Sequence, residues 1–329
     1  MSFACRTVAV IIVNYNTSDL AIGAVESVLG DPAPGLETEV FIVDNASRPS
    51  EREKLDRGMA RDWWQRRVHL LAERSNRGFG VANNLIIDRL LARANPPEFI
   101  LLLNPDAELH RGSLEALVRC LDRNLDAGVV GPRIVGAGGE TEVSAYRFPG
   151  LASAFEDACA LAPVSRWLRR FRVPMPVPNE TGPVEWVSGA VVLMRTAVVR
   201  HVGGFDPRFF LYFEEVDLMR RARRAGWEVW HFNEASATHV QGAATGLRHD
   251  QPQYRLPWSW YESWTHYHRK WHGRAYALGS GLAWLAGDLV NRFAALIRGR
   301  RPKAPQALHR DLWCLVFRPL LGLGARRYD

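Results

Sequence analysis

Small polar side chains follow three of the most apolar segments of this chain. Val8–Val13, Val40–Val43 and Phe99–Leu103 are followed by Asn14-Tyr15-Asn16, Asp44-Asn45 and Asn104-Pro105-Asp106, respectively. One such ending is ordinary for a turn or a helix cap. Three hydrogen-bonding endings with two carboxylates among them indicate a shared site for a polar ligand.

Alternating strands and helices must position these endings. The apolar segments, with Val68–Leu71, are separated by segments of helical character, namely Ser18–Leu29, Ser50–Trp64 and Gly80–Ala94. This alternation predicts an α/β fold, an open and mostly parallel sheet with helices on both faces. Ligands of such sheets bind outside the carboxyl ends of the strands, so the three endings should meet at one edge.

A second ordered block runs from Glu185 to His239. It holds the apolar stretch Trp186–Met194, a G-G-F-D turn at Gly203–Asp206 and a helix from about Glu214 to Ala225. We predict a catalytic domain over residues 1–250 and an aromatic, basic, helical extension over residues 251–329.

Composition and charge narrow the function classes. The chain has 329 residues, of which 47% are hydrophobic, and its net charge is +7. From Arg269 to Asp329 there are 12 Lys and Arg residues against 3 Asp and Glu residues, so an anionic partner should be sought there. The four cysteines form no C-x-x-C pair, which favours reduced thiols in a cytosolic protein.

Several classes of protein do not fit the motifs. The first turn, NYNTSD, lacks the G-x-G-x-x-G of a dinucleotide-binding fold, and no G-x-x-x-x-G-K-[ST] phosphate loop is present. No stretch reaches the roughly 18 uninterrupted apolar residues of a membrane span. The aromatic residues precede the basic run instead of interleaving with it, so nucleic acid is not the expected partner.

Six segments in a fixed order resemble glycosyltransferase family 2. They are VAVIIVNYN, VDNAS, NRGFGVANN, LLLNPDAEL, GGFDPRFFLYFEEVDLMRRARRAGW and THVQG, between residue 7 and about residue 242. The resemblance is closest to the bacterial rhamnosyltransferase-like branch that builds lipid-linked polysaccharides. It implies the GT-A fold and transfer of a sugar from a nucleotide diphosphate donor.

The resemblance also implies a divalent cation. Asn104-Pro105-Asp106 stands at the position of the family's D-x-D motif, so Asp106 would be the main ligand of Mg²⁺ or Mn²⁺. His239 matches a later metal-ligand position of some relatives, and a core or surface role is the alternative. Glu108 is expected to be a solvated or capping side chain.

Donor-nucleotide contacts follow in the same way. Asp44 matches the residue that accepts a hydrogen bond from N3–H of the base, which suits uracil or thymine. Asn14, Tyr15, Asn16, Asn45 and Asn104 would line the nucleotide pocket, with turn capping as the alternative for Asn16 and Asn45. Arg77 and Gly78 belong to a segment expected near the diphosphate, although an Arg in a loop is more often only solvated.

The acidic run at residues 214–217 matches the family's E-D-x-D element. The resemblance assigns the general base to Glu215, where relatives have Asp, and Glu214 beside it could raise its pKa. Asp217 lies four residues before Arg221, which favours an ion pair within a helix. A helix N-terminus enriched in acids is the structural alternative for the run.

The donor sugar and the acceptor would meet other residues of the family pattern. Gly189 and Ala190 would lie under the donor sugar, and Trp186 toward the acceptor. For Trp186, an ordinary core position is the alternative.

The basic extension contains a helix with one apolar face. That face comprises Leu278, Leu282, Leu285, Leu289, Phe293 and Leu296, and Arg298, Arg300, Arg301 and Lys303 follow it. Two interpretations stay open: a helix in the interface of an anionic membrane, or a helix packed on protein.

Together these features predict an inverting glycosyltransferase in the cytoplasm, peripheral at the inner face of the cell membrane. The expected donor is a dTDP- or UDP-sugar of L-rhamnose or another deoxyhexose or hexose. The expected acceptor is a saccharide or a polyprenyl-diphosphate-linked saccharide. A sugar nucleotidyltransferase and a catalytically inactive sugar- or lipid-binding scaffold are the alternatives.

Overall fold

The computed structural model describes residues 5–31, 33–177, 180–240, 242 and 254–327. Its strands are β1 (Arg6–Asn14), β2 (Leu36–Asp44), β3 (Val68–Ala72), β4 (Phe99–Leu103), β5 (Ala107–Leu109), β6 (Ala127–Val135), β7 (Thr141–Glu142), β8 (Ala145–Tyr146), β9 (Gly182–Val184), β10 (Trp186–Val187), β11 (Val191–Arg195) and β12 (Glu228–His239). Its helices are α1 (Ser18–Leu29), α2 (Pro49–Met59), α3 (Phe79–Leu91), α4 (Ser113–Arg123), α5 (Leu151–Cys159), α6 (Ala162–Trp167), α7 (Thr196–Val202), α8 (Glu214–Arg224), α9 (Trp258–His272), α10 (Arg274–Ile297), α11 (Leu308–Asp311) and α12 (Arg318–Leu320).

The main sheet has the order β3-β2-β1-β4-β11-β6-β12-β5. Strands β3, β2, β1 and β4 are parallel, β11 runs antiparallel between β4 and β6, and β12 is parallel to β6. The predicted mostly parallel α/β sheet is therefore confirmed. Strands β2, β1 and β4 are adjacent and parallel, so their carboxyl ends lie at one side of the sheet, as predicted. Asn14 and Asp44 are the last residues of β1 and β2, and Asn104 directly follows β4.

Burial on both faces explains why the strands read as continuous apolar runs. All five residues of β4 are buried. In β1, Val8, Val10 and Ile12 join the core formed with α1, α2 and α4, whereas Ala9 and Ile11 are equally buried but lie outside that core. Helix α3 packs on β1 and β2. Because helices cover both faces of the sheet, neither face needs the polar side chains that a solvent-exposed face would carry.

Most predicted elements agree with the structure, and two differ. The predicted helix Ser50–Trp64 is α2, which ends at Met59, followed by a separate 3₁₀ turn at Asp62–Trp64. The interruption lets the buried Trp64 ring lie against Gly58, where a Cβ would be only 3.1 Å from the ring. The apolar stretch Trp186–Met194 is divided into β10 and β11 by a turn at residues 188–190.

The chain divides into two compact units. The first contains the described residues of Met1–Tyr146, Met175–Pro207 and Glu215–Gly246, and it holds the main sheet. The second contains those of Arg147–Pro174, Arg208–Glu214 and Leu247–Asp329.

The second unit is helical and has its own core. Trp264 and Trp284 lie 5.4 Å apart between ring centroids, and Tyr261 stacks on Trp284 at 5.7 Å. Leu312 and Leu315 belong to the same buried cluster. Among the residues described, no helix combines the length and the apolar character that crossing a membrane requires.

Candidate active site

Asp106 and His239 meet at the end of β4. After Leu103, the backbone N–H of Asn104 donates to the Ala190 carbonyl at 2.8 Å. The backbone N–H of Ala107 donates to the Asn104 carbonyl at 3.1 Å and so forms a turn. The following strand β5 pairs antiparallel with the end of β12, so that Ala107 lies opposite His239. The result is a distance of 3.2 Å between Asp106 Oδ1 and His239 Nε2, with both side chains largely buried.

This pair fits two ligands of one hard cation. Adjacent ligand atoms about 2.1 Å from an octahedral Mg²⁺ or Mn²⁺ are separated by roughly 3 Å, close to the observed distance. The same contact would be an ion pair if His239 were protonated. Within the described part of the chain, no group of three or more His, Cys, Asp or Glu side chains is placed to enclose a metal. A cation bound here would therefore need further oxygen ligands from a substrate or water.

Glu108 lies elsewhere. Its side chain is exposed, and its Oε1 lies 2.9 Å from where a Cβ on Gly23 of α1 would be. Asn104 is half-buried and lies two residues before Asp106, directly after β4. Of the two carboxylates in this segment, Asp106 lies beside a second candidate ligand, His239, and Glu108 is exposed, as expected for a solvated side chain.

Asn14 and Asp44 are register partners at the ends of β1 and β2. Asn14 Nδ2 donates to Asp44 Oδ1 at 3.1 Å and lies within hydrogen-bond distance of Ser18 and Ser47. Asp44 is buried, and its Oδ2 lies 3.9 Å from Arg52 Nη1. Asn14 thus orients the Asp44 carboxylate through Oδ1, and the cation nearest to Oδ2 among the described residues is the distant Arg52.

Asn45 organises the loop before α3. Its Nδ2 donates to Asn76 Oδ1 at 2.9 Å and to Gly78 O at 3.3 Å, while its Oδ1 accepts from Arg77 N–H at 3.0 Å. Gly78 has a φ of +83°, a conformation that glycine adopts without strain. The amide of Asn45 therefore fixes the loop in which Gly78 stands directly before the N-terminus of α3.

Asn16 and its neighbours join the first two strand ends. Asn16 Oδ1 accepts from Arg48 N–H at 2.9 Å, and Asn16 N–H donates to Ser47 Oγ at 2.8 Å. Tyr15 is exposed, and the exposed Arg77 guanidinium lies 3.7 Å from Glu73. The capping interpretation of Asn16 and Asn45 accounts for their side chains, and the nucleotide contacts of all these residues stay predictions.

Glu215 lies beside the turn that divides β10 from β11. A Cβ on Gly189 would be 3.2 Å from Glu215 Cγ and 3.4 Å from its Oε1. Glu215 Oε2 is buried and, among the described residues, has no hydrogen-bond partner. Burial raises the pKa of Glu215, and hydrogen bonds from its own and the Val216 amide oppose this only in part.

The other acidic residues of the run are Asp217, which forms an ion pair, and Glu214, which follows two residues of strained backbone conformation. Asp217 is paired with Arg221 at 2.8 Å, which confirms the predicted ion pair. Glu214 is buried at the first position of α8. Directly before it, Tyr212 and Phe213 both have positive φ, +71° and +66°. Positive φ at two consecutive non-glycine residues costs conformational free energy, and such strained backbone is typical of functional sites.

Trp186 is buried and stacks on Tyr146, with ring centroids 4.2 Å apart and planes within 17°. The stack follows from the antiparallel pairing of β10 with β8, where Trp186 lies opposite Tyr146. Burial, with nearby Glu142 and Glu215, raises the pKa of Tyr146 to about 12. No local sequence pattern indicates Tyr146, because a two-residue strand leaves no periodic signal.

Residues 9–198 match the sequence profile of the family described as glycosyl transferase family 2. A relative from Mycobacterium tuberculosis, named N-acetylglucosaminyl-diphospho-decaprenol L-rhamnosyltransferase, is 34% identical over 187 residues, which are 54% of this chain and 61% of the relative. The chain thus spans about 61% of the length of that relative.

Solved structures show the same fold. GalNAc-T7 with UDP, GalNAc and Mn²⁺ matches with a TM-score of 0.58 at 14% identity, over 96% of this chain and 56% of that one. The mannosyltransferase PcManGT from Pyrobaculum calidifontis, in complex with GDP-Man and Mn²⁺, matches with a TM-score of 0.52 at 16% identity, over 96% and 82%. Both neighbours were crystallised with a divalent cation.

Proposed function

This chain belongs to glycosyltransferase family 2, and we therefore propose that it transfers a sugar from a dTDP- or UDP-sugar to a lipid-linked saccharide with inversion at the anomeric carbon. L-Rhamnose is the first candidate sugar, because the Mycobacterium tuberculosis relative is named for that sugar and for a diphospho-decaprenol acceptor. The nucleotidyltransferase alternative is dropped, since the family and the named relative are glycosyltransferases.

The observation that carries the proposal is the Glu215 carboxylate beside Gly189, with Oε2 buried and without a hydrogen-bond partner in the described residues. A carboxylate with one buried oxygen and a raised pKa is suited to accept a proton. In the proposed step the acceptor hydroxyl oxygen forms a bond to the anomeric carbon from the side opposite the leaving group. Its proton passes to Glu215, and the nucleoside diphosphate departs with the electrons of the broken carbon–oxygen bond.

Asp106 and His239 would hold Mg²⁺ or Mn²⁺, and a bound cation would supply positive charge for the diphosphate leaving group. Their separation of 3.2 Å supports this assignment. The Mn²⁺ present with two structural neighbours is consistent with it. Asn104 would at most assist, because its amide oxygen carries no full charge.

Asp44 would bind the base of the donor. Its Oδ1 is held by Asn14, which leaves Oδ2 as the acceptor for N3–H of uracil or thymine. Asn14, Tyr15, Asn16, Asn45, Arg77 and Gly78 would form the walls of this pocket. The Trp186–Tyr146 stack, with Gly189 and Ala190, would bound the side where the sugar and the acceptor react.

A lipid-linked acceptor keeps its sugar at the bilayer surface, so we place the enzyme at the inner face of the cell membrane.

The decisive experiment is a donor screen with dTDP- and UDP-sugars and Mg²⁺ or Mn²⁺. Nucleoside diphosphate release is measured with and without a polyprenyl-diphosphate saccharide. Acceptor-dependent release from one donor is expected, and no release with any donor across a broad acceptor set would support the inactive scaffold instead.

A further inference from the structure

Helix α10 turns its apolar face outward. Leu282, Leu289, Phe293, Leu296 and Ile297 are all exposed, with Phe293 at 66% and Leu296 at 77%. At 100° per residue these side chains fall on one side of the helix. We call these five residues the outer face of α10. The predicted apolar stripe is therefore mostly on the exposed side, and only Leu278 and Leu285 pack against the core of the second unit.

The opposite side of α10 is small and polar, and it is buried. Gly287 lies so close to α5 that a Cβ there would be 2.4 Å from Phe155 O. Asp288 is fully buried and accepts from Arg292 Nε and pairs with His309 Nε2, both at 2.6 Å. Asn291 Nδ2 donates to Lys303 O at 2.8 Å. These contacts fix the rotation of the helix about its axis. The polar side of α10 therefore faces the second unit, and the apolar side faces outward.

Four cations follow the outer face immediately. Arg298, Arg300, Arg301 and Lys303 are exposed, and among the described residues none of them forms an ion pair. Soluble helices normally present charged side chains to water and apolar ones to the core. Exposed apolar residues beside unpaired cations match instead the boundary of an anionic bilayer, where acyl chains and phosphate groups lie next to each other.

We infer that the outer face of α10 binds an anionic lipid bilayer, with the helix lying in the plane of the interface. Leu289, Phe293 and Leu296 would enter the boundary between headgroups and acyl chains, while Arg300 and Arg301 would contact lipid phosphates. The helix would not span, because Asp288 and Asn291 occupy its other side. This inference rests on the proposed function only for its biological purpose, namely access to a lipid-linked acceptor.

Flotation of the full chain with vesicles tests the surface directly. The wild type is expected to float with phosphatidylcholine vesicles containing 30% phosphatidylglycerol, and to bind pure phosphatidylcholine much more weakly. The double variant Leu289→Glu/Phe293→Glu should partition at least tenfold less. Leu125→Glu is the matched control, since Leu125 is exposed to the same degree as Leu296 but lies in the first unit.

The cations are tested separately. Arg300→Gln/Arg301→Gln should weaken partitioning to anionic vesicles about 30-fold and reduce its salt dependence, because each cation near such a surface contributes roughly a fivefold factor. Binding to neutral vesicles should not change. Circular dichroism and thermal unfolding of each variant check that α10 still folds.

Two outcomes would overturn the inference. One is flotation of Leu289→Glu/Phe293→Glu equal to wild type. The other is conversion of a dimer to a monomer by the same substitutions with vesicle binding unchanged, which would make the outer face a protein interface. Transfer to a short water-soluble acceptor separates this result from the proposed function. Vesicle binding without any transfer would refute only the enzyme proposal, and transfer without vesicle binding would refute only the surface.

Discussion

The Glu215 carboxylate lies against the main chain of Gly189, so that a single added methyl group on Gly189 would reach to 3.4 Å from Glu215 Oε1 and 3.2 Å from Cγ. Real Cβ contacts are rarely this short, and the carboxylate would have to move by a few tenths of an ångström. A base must be placed accurately to accept a proton at the moment of attack. The pair therefore gives a direct test of whether the position of Glu215 matters.

Gly189→Ala should lower kcat at least tenfold while leaving nucleoside diphosphate affinity within about twofold of wild type. Steady-state kinetics and calorimetric binding measure the two quantities. Gly182→Ala is the control, because a Cβ there meets nothing within 4 Å. Equal kcat for Gly189→Ala and wild type would show that Glu215 is not acting as the base from this position.

Glu215→Gln should abolish transfer, and it should raise the unfolding temperature at high pH. Burial raises the pKa of Glu215 above the ordinary value of 4.5, so the folded state binds more protons than the unfolded state between these two values. Stability of the wild type therefore falls as pH rises through that window. Above it, Glu215→Gln should unfold at a higher temperature than wild type, and the difference should vanish as pH falls toward 4.5.

Thermal unfolding between pH 4.5 and pH 8 measures this effect, and the pH profile of kcat gives an independent reading. Because the base must be deprotonated, the acidic limb of activity should lie above the ordinary glutamate pKa. If Glu215→Gln stabilises the protein without loss of activity, the Glu215 charge affects stability but not catalysis, and the base is another residue.

Asp106→Asn should weaken Mn²⁺ binding in the presence of nucleoside diphosphate by more than tenfold, as measured by electron paramagnetic resonance. The substitution removes the negative charge of the only carboxylate in contact with His239 among the residues described. His239→Ala should have a smaller effect in the same direction. Glu108→Gln supplies the matched control two residues away, and an equal loss there would contradict the assignment of Asp106.

Much of the fold could be predicted from the sequence because its elements carry local signals. Helix α1 and strand β4 have the bounds that their patterns indicate, since the first has a clear periodicity and the second is apolar throughout. The pair Asp217–Arg221 was also predictable, because both residues lie on one helix at a spacing of four.

The contacts that build the site depend on long-range pairing, and no local pattern encodes them. Asp106 meets His239 only because β5 pairs with β12 in one register. The exposure of α10 was equally hidden, since periodicity reveals which side of a helix is apolar but not which side is buried. Buried Asp288 decides that question through contacts with His309, which lies outside the helix.

Asp44→Asn should change base preference. A carboxylate only accepts hydrogen bonds, whereas an amide can also donate to unprotonated N3 of cytosine. The variant should bind UDP and dTDP about tenfold more weakly and should lose less affinity for CDP, as measured by calorimetry. Its Oδ1 can still accept from Asn14, so the fold should be retained. Unchanged preference among the three nucleotides would remove Asp44 from the base site.

Asn84→Ala should destabilise the first unit without touching the proposed site residues. Asn84 Nδ2 donates to Phe205 O, and its Oδ1 accepts from Phe205 N–H, both at 2.9 Å, so one side chain satisfies both polar groups of that residue. Gly204 allows this approach, because its φ is +69° and a Cβ there would lie 2.7 Å from Asn84 Oδ1. Losing both hydrogen bonds should cost about 2 to 3 kcal/mol in urea unfolding. Asn84→Asp keeps only the acceptor and should lose less, and equal stability of Asn84→Ala and wild type would show that water replaces the amide at no cost.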